Sequence, residues 1–311
     1  MQNNFIFGPV PSRRLGISLG IDIVPFKTCS LNCIYCERGK TNRLSLQRQH
    51  FIEVLPLLAQ LKKILKSLNH VDYLTFSGSG EPTLNKDVGI MISEIKKSIS
   101  IPVAVLTNGT LLSRDDVVQD LLKADVVLPS LDAVSENVFS KINRPHPDLK
   151  LAEIIQGLIR FREVYSGQIW LEIFVVKSVN DNDRELSELY RTIKKIGPDK
   201  VQLNSLDRPP ADSRVQPVEI GKLEAIKRKW TDLPVEIVKR IHRREEIAAF
   251  SKNLENTILN TITRRPLMID DLVRLTGKSR LEILKYIDVL EKEKKVISKI
   301  VGKNIFYAAK P

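Results

Sequence analysis

Short apolar runs and stretches of helical period alternate along most of the chain. Residues 17–24 alternate apolar with small or polar side chains, the period of a strand. Between 51 and 68 the apolar positions Ile52, Leu55, Leu58, Leu61, Ile64, Leu65 and Leu68 recur at the spacing of one helix face. The alternation then repeats. Strands are predicted at 73–76, 103–106, 126–129, 169–176 and 201–204, and helices at 88–99, 115–122, 151–165 and 184–196. Strand followed by helix, about six times over, predicts an α/β fold with a parallel sheet and helices outside it. Parallel crossovers are right-handed, so the repeats wind in one sense, into an open sheet or a barrel.

Both flanks break this rhythm. Residues 7–16, Phe-Gly-Pro-Val-Pro-Ser-Arg-Arg-Leu-Gly, are rich in turn formers and predict an ordered N-terminal loop. Arg13 and Arg14 there suit a carboxylate or phosphate clamp, or equally a surface ion pair. Beyond a polar turn at 209–217 come a helix at 219–230, a strand-like run at 235–238 and a basic run, Lys239-Arg240-Ile241-His242-Arg243-Arg244. That run reads as a solvated linker face or as a phosphate contact. From 254 onward helices are predicted at 254–263, at 269–275 with Gly277 as C-cap, and from an N-cap at Ser279 to about 293. Runs at 296–301 and 305–309 form a hairpin around a Gly-containing turn. Three short helices and a basic hairpin resemble a winged helix-turn-helix. The third helix mixes Arg280 and Lys285 with Glu282, Asp288 and Glu291, a pattern that disfavours duplex DNA. The expected organisation is a barrel over 1–240, a basic linker over 241–253 and a winged-helix-like module over 254–311.

Eight residues carry the chemistry: Cys29-Ser30-Leu31-Asn32-Cys33-Ile34-Tyr35-Cys36 holds every cysteine of the chain. Three thiolates on one loop can ligate three irons of a [4Fe–4S] cluster, which normally takes four. Zinc would want a fourth Cys or a nearby His, and His50, His70, His146 and His242 are scattered. The C-x3-C-x2-C pattern, with Tyr35 before the last cysteine, resembles the signature of the radical S-adenosylmethionine (SAM) superfamily. The resemblance implies a partial (β/α)6 TIM-like barrel and two cofactors, a [4Fe–4S] cluster on Cys29, Cys33 and Cys36, and SAM chelating the open iron. Ser77-Gly78-Ser79-Gly80-Glu81-Pro82 follows a strand and resembles the superfamily's "GGE" element, with Ser79 in place of the first Gly; it implies that Ser79, Gly80 and Glu81 grip the SAM amino group. By the same resemblance Asn108, Ser130 and Lys177, at successive strand ends, bind ribose and carboxylate, and Val176 and Tyr35 contact adenine. Glu172 is placed facing the cavity, Asp132 and Asn204 are substrate contacts, and Lys27 neutralises local charge.

The mechanism implied is reductive cleavage of SAM to methionine and a 5′-deoxyadenosyl radical, which takes hydrogen from a substrate carbon. It requires a one-electron reductant such as flavodoxin or ferredoxin. Residues 5–210 further resemble uncharacterised radical SAM proteins grouped with the wybutosine tRNA-modifying synthases. Those synthases carry extra cysteines for a second cluster, which this chain lacks, so the expectation is a single-cluster enzyme.

Length and charge narrow the partners. The 311 residues are 42% apolar, enough for a real core. A formal net charge of +12 favours a polyanionic partner, with RNA (tRNA) as the leading macromolecular substrate. A protein or peptide substrate is the alternative within the same chemistry. An iron–sulfur transcription sensor using the C-terminal module on DNA is the alternative from another class; the Glu81 motif and the full set of repeats argue against it. No apolar run approaches the ~20 residues of a membrane span, and the start at Met1-Gln2-Asn3-Asn4 lacks the order of a signal peptide. A cytoplasmic location is expected.

Overall fold

The computed structural model describes residues 5–68, 70–206, 210–238, 254–278, 280–301 and 304–310. In chain order the elements are β1 (Ile6–Ser12), β2 (Gly16–Ile21), β3 (Thr28–Cys29), β4 (Arg43–Leu44), α1 (Val54–Leu65), β5 (Tyr73–Phe76), α2 (Val88–Ser98), β6 (Val103–Thr107), α3 (Asp115–Leu121), β7 (Val126–Pro129), α4 (Glu136–Ile142), α5 (Leu151–Val164) and β8 (Gln168–Phe174). They continue with α6 (Asp183–Ile196), β9 (Lys200–Asn204), α7 (Ile220–Lys229), β10 (Val235–Ile237), α8 (Leu254–Ile262), α9 (Ile269–Thr276), α10 (Arg280–Lys292), β11 (Val296–Val301) and β12 (Asn304–Ala309). A 3₁₀ turn at Pro82–Leu84 follows β5.

The main sheet runs β1-β2-β5-β6-β7-β8-β9-β10. From β2 to β10 each neighbouring pair is parallel. Its strands are short apolar runs because helices cover one face and the barrel interior lies against the other. β5, β6 and β7 are accordingly buried along nearly their whole length. The helices carry the complementary stripe. On α6, Leu186, Leu189, Ile193 and Ile196 are buried at helical spacing. Asn182 accepts from the Glu185 N–H at its N-terminus, and Gly197 at φ 64° closes its C-terminus with a bond from its N–H to the Ile193 carbonyl.

Two features differ from the sequence reading. The stretch predicted as an N-terminal loop forms strand β1, paired antiparallel to β2. Proline is tolerated there because β1 is an edge strand, where one side of the backbone needs no ladder bond. The strand-like run at 235–238 does form a strand, β10, but it joins the sheet in parallel beyond β9, so the described sheet has seven parallel strands where six repeats were expected. β1 and β10 do not pair with each other, which leaves the barrel open.

The C-terminal residues have their own core, of Ile258, Ile262, Leu272, Leu275, Ile283, Ile287 and Leu290 among others, and Phe7 of β1 inserts into it. Ser279, given as an N-cap, and the basic run 239–244 lie outside the described residues. Among the described residues no helix is long and apolar enough to cross a membrane.

Candidate active site

Every parallel strand of the barrel points its carboxyl end at one rim, so loops following the strands meet there. After β2 the chain turns through Pro25 and Phe26, and Lys27 sits at φ 58°. The cysteine loop is then fixed by backbone bonds from three directions. Ser45 N–H donates to the Cys29 carbonyl at 2.9 Å, and Ile34 N–H donates to the Ile142 carbonyl at 2.9 Å. Asp212 N–H donates to the Ile34 carbonyl at 2.9 Å. Inside the loop, Cys36 N–H donates back to the Cys33 carbonyl at 3.2 Å.

Each sulfur of the loop receives a side-chain N–H from a different segment, and Cys29 also has a backbone hydrogen bond from Leu31. Asn108 Nδ2, after β6, donates to Cys29 Sγ at 3.4 Å. Asn143 Nδ2, at the end of α4, donates to Cys33 Sγ at 3.4 Å. Lys27 Nζ donates to Cys36 Sγ at 3.2 Å. Burial pushes the Cys29 thiol up to about 12, with the Glu81 charge adding to it. Burial likewise raises Cys33 well above its ordinary value, with Asp132 next in effect. Without iron both thiols keep their protons, and metal binding must displace them.

The Ser77–Glu81 turn is strapped to this loop. Lys27 N–H donates to the Ser79 carbonyl at 2.8 Å, and Glu81 N–H to the Thr28 carbonyl at 3.0 Å. A Cβ on Gly80 would lie 1.9 Å from the Thr28 carbonyl oxygen, so only glycine permits this approach. Ser79 is fixed by Asp22, whose carboxylate accepts from its N–H at 3.1 Å and its hydroxyl at 2.5 Å. Glu81 is buried; its Oε1 accepts from Thr83 N–H, Thr83 Oγ1 and Thr107 Oγ1, and its Oε2 accepts from the Asn108 N–H at 2.7 Å. Burial still outweighs these bonds and raises its pKa.

A cavity of about 280 Å³ opens beside the loop, lined in part by Tyr35, Cys36, Phe174, Glu172 and Asn204. Tyr35 stacks on Phe174 with ring centroids 3.9 Å apart. Its hydroxyl donates to Asp132 Oδ2 at 2.5 Å, and Asn143 Nδ2 donates to the same oxygen at 2.7 Å. Asp132 thus ties Tyr35 to the residue that contacts Cys33. Burial pushes the Asp132 carboxyl up to about 6 against those hydrogen bonds. Burial would also raise Glu172, but the Arg14 charge and the Asn204 amide hold it below the ordinary carboxylate value. Arg14 Nη1 lies 2.8 Å from Glu172 Oε1, and Asn204 Nδ2 donates to that oxygen at 2.8 Å.

Cys29, Cys33, Cys36, Ser79, Gly80, Glu81 and Asn108 therefore sit together around the loop, with Tyr35 on the cavity wall. Ser130, at the end of β7, lines a narrow cleft with Asn108, Asp132 and Asn143. Val176 and Lys177 line a second groove, shared with Ile34, Arg144 and Asp212. Asn143 escaped the sequence reading because α4 is only seven residues long and its partner cysteine is 110 positions away. Arg264 and Arg265, which lie between the helices predicted at 254–263 and 269–275, line the main cavity.

The donor set fits a cubane. Among the described residues no three Cys, His, Asp or Glu side chains converge on one metal ion. A cluster instead gives each thiolate a separate iron, and three thiols leave the fourth iron open. The described sheet is an open parallel α/β barrel with this cysteine loop at its carboxyl rim. Residues 23–190 match the radical SAM superfamily, and the chain belongs to it. That superfamily uses a [4Fe–4S] cluster and SAM.

A UPF0026 protein of Methanocaldococcus jannaschii is 33% identical over 310 residues, 97% of this chain and 94% of that protein. A Brachyspira hyodysenteriae protein named GTPase Obg is 36% identical over 309 residues; these are 99% of this chain and 45% of that protein, so this chain spans less than half of that relative. The structure of Streptococcus suis SuiB bound to S-adenosylmethionine is alike in fold, with a TM-score of 0.55 at 16% identity over 72% of this chain and 51% of that one.

The three side-chain N–H donors give a redox prediction. Hydrogen bonds to the sulfurs stabilise the more negative, reduced cluster. Asn143→Ala, which removes the donor at Cys33 Sγ, is expected to move the reduction potential to more negative values at unchanged iron content. A potentiometric titration followed by electron paramagnetic resonance reads this directly, and an unmoved potential would discount the contact.

Proposed function

We propose that this chain is a single-cluster radical SAM enzyme that modifies RNA, with tRNA as the leading substrate. The observation that carries the chemistry is the junction of the cysteine loop and the Ser79-Gly80-Glu81 turn by two backbone hydrogen bonds. When bound, the cluster and SAM supply one-electron cleavage of a carbon–sulfur bond. The residues do the rest. Cys29, Cys33 and Cys36 hold three irons. Glu81 Oε2 accepts one described hydrogen bond, from Asn108, and retains a lone pair for the SAM ammonium. Asn108 and Ser130, read as contacts of the SAM ribose and carboxylate, lie side by side on the wall of one narrow cleft. Tyr35, fixed by Phe174 and Asp132, presents a flat wall to adenine. Val176 and Lys177 belong to the outer groove, where Lys177 is exposed for a carboxylate.

The formal net charge of +12 supports a polyanionic substrate. Kinship to wybutosine-type synthases is read here without their second cluster, because the three cysteines are all spent on the first. The helices α8 to α10 and the β11–β12 hairpin are read as a winged-helix module over 254–311, with 1–240 as the barrel and 241–253 as a linker.

Anaerobically reconstituted protein, given dithionite and SAM, is expected to release 5′-deoxyadenosine. A fully iron-loaded protein that releases none would sink the enzyme reading in favour of a sensor.

A further inference from the structure

We propose that Asp22 is a positioning residue for the SAM site, through which the docked C-terminal segment sets the affinity for SAM. The inference rests on the reading that Ser79-Gly80-Glu81 grips SAM, and adds a second element that controls that turn. Asp22 follows β2 directly and is 8% exposed. Its Oδ1 accepts from the Ser79 N–H at 3.1 Å, and its Oδ2 accepts from the Ser79 hydroxyl at 2.5 Å. Arg264 Nη1, 242 positions away in the chain, donates to that same Oδ2 at 2.5 Å. One oxygen therefore serves both the Gly-rich turn and the segment beyond α8.

The turn is built against this carboxylate. A Cβ on Gly78, which sits at φ 138°, would stand 2.6 Å from Asp22 Cγ, so the turn packs directly on Asp22. Ser79 passes its position on to the cysteine loop, because its carbonyl accepts from the Lys27 N–H at 2.8 Å.

The other end of the tie is equally fixed. The N–H groups of Arg264 and Arg265 donate to the Thr261 carbonyl at 3.2 and 3.3 Å, which winds both residues onto the end of α8. On α8, Ile258 and Ile262 are buried in the C-terminal core that also receives Phe7. The Arg264 guanidinium carbon lies over the Phe7 ring, 4.8 Å from its centroid. Asp22 meets the same strand from the other side: its N–H donates to the Phe5 carbonyl at 2.8 Å. A second contact runs beside the first. The Thr263 carbonyl accepts from Arg38 Nη1 at 3.0 Å, on the chain leaving the cysteine loop. Thr263 and Arg264 thus hold one contact with each of the two segments that carry the cofactors.

A buried carboxylate that loses its cation turns to another donor or to water. Withdrawal of Arg264 therefore frees Asp22 to reorient, and Ser79 loses the acceptors that hold it. If SAM binds best to the turn as Asp22 fixes it, docking of the C-terminal segment strengthens SAM binding, and SAM strengthens docking by the same factor. An ion pair that merely stapled two parts of the chain together would leave SAM affinity unmoved.

The test is equilibrium dialysis of SAM against the full, anaerobically reconstituted chain, with hydrogen exchange of the α8 amides followed on the same preparation. Asp22→Asn and Arg264→Gln are each expected to weaken SAM binding by at least about fivefold at parent iron content. Arg264→Lys, which keeps the charge, is expected to recover part of the affinity and guards against a folding artefact. The double variant is expected to bind no worse than the weaker single, since both changes break one tie. SAM is expected to slow exchange along α8 in the parent and not in Asp22→Asn. Single variants that bind SAM as the parent does, losses that add in the double variant, losses that track lost iron, or α8 exchange blind to SAM in the parent would each overturn the coupling. Glu81→Gln separates this from the reading beneath it. Parent affinity in Glu81→Gln rejects the turn as the SAM site, whereas weakened binding there with parent affinity in Arg264→Gln rejects the coupling alone.

Discussion

Cys33→Ala is expected to yield a folded chain that keeps less than its full complement of iron after reconstitution and releases 5′-deoxyadenosine only at background. The reasoning separates folding from function. Without iron the Cys33 thiol is neutral, because burial raises its pKa and Asp132 raises it further. Removing one neutral, partly buried thiol leaves the surrounding backbone bonds in place, and the loss of stability should stay near ~1 kcal/mol. Function has no such margin. Two thiolates hold two irons, and a cubane with two irons lacking protein sulfur is readily lost. Iron per chain and the chemical-denaturation midpoint of the metal-free protein read the two halves independently. A variant with full iron and normal turnover would remove Cys33 from the site.

The cysteine loop and the Ser77–Glu81 turn were legible because each is local. Their residue types and spacings lie within a few positions of one another, and each follows a strand that its own period announces. The helix–strand alternation was legible for the same reason. What escaped is what only the fold brings together. Asn143 reaches Cys33 across 110 positions, and Arg264 reaches Asp22 across 242. β1 escaped differently. Gly8-Pro9-Val10-Pro11 carries the local chemistry of a turn, and its strand conformation comes from pairing with β2 and from Phe7 entering the C-terminal core. Tertiary contact overrode propensity there.

Arg48 shows how the polar interior supports the site without touching it. Its Nε donates to the Thr83 carbonyl at 2.8 Å and its Nη2 to the Asn85 carbonyl at 3.1 Å, while Nη1 reaches Asp116 at 2.7 Å. It also pairs with Asp120. The segment leaving the cysteine loop is thereby fastened to the 3₁₀ turn that follows Glu81. Two loops from different strands are thus held by side chains behind them as well as by the backbone straps at the rim.

Those straps set the second large expectation. Gly80→Ala adds one methyl group, yet its carbon would stand 1.9 Å from the Thr28 carbonyl oxygen and 2.9 Å from the carbonyl carbon. Backbone, unlike a flexible side chain, cannot swing aside, so the two loops must part. Overpacking of this kind costs about 1–3 kcal/mol. The separation would strain the Glu81 N–H bond to Thr28 and the Lys27 N–H bond to Ser79 together. Cys29 follows Thr28 directly, so its sulfur would move relative to Asn108 and Glu81. Gly80→Ala is therefore expected to lower the denaturation midpoint of the metal-free chain and to weaken SAM binding more than its loss of stability accounts for. Ser79→Ala is the useful contrast: it gives up the hydroxyl bond to Asp22 but leaves the backbone approach intact. If calorimetry found the same SAM affinity for Gly80→Ala as for the parent, the close contact of the two loops would not be what positions the cofactor.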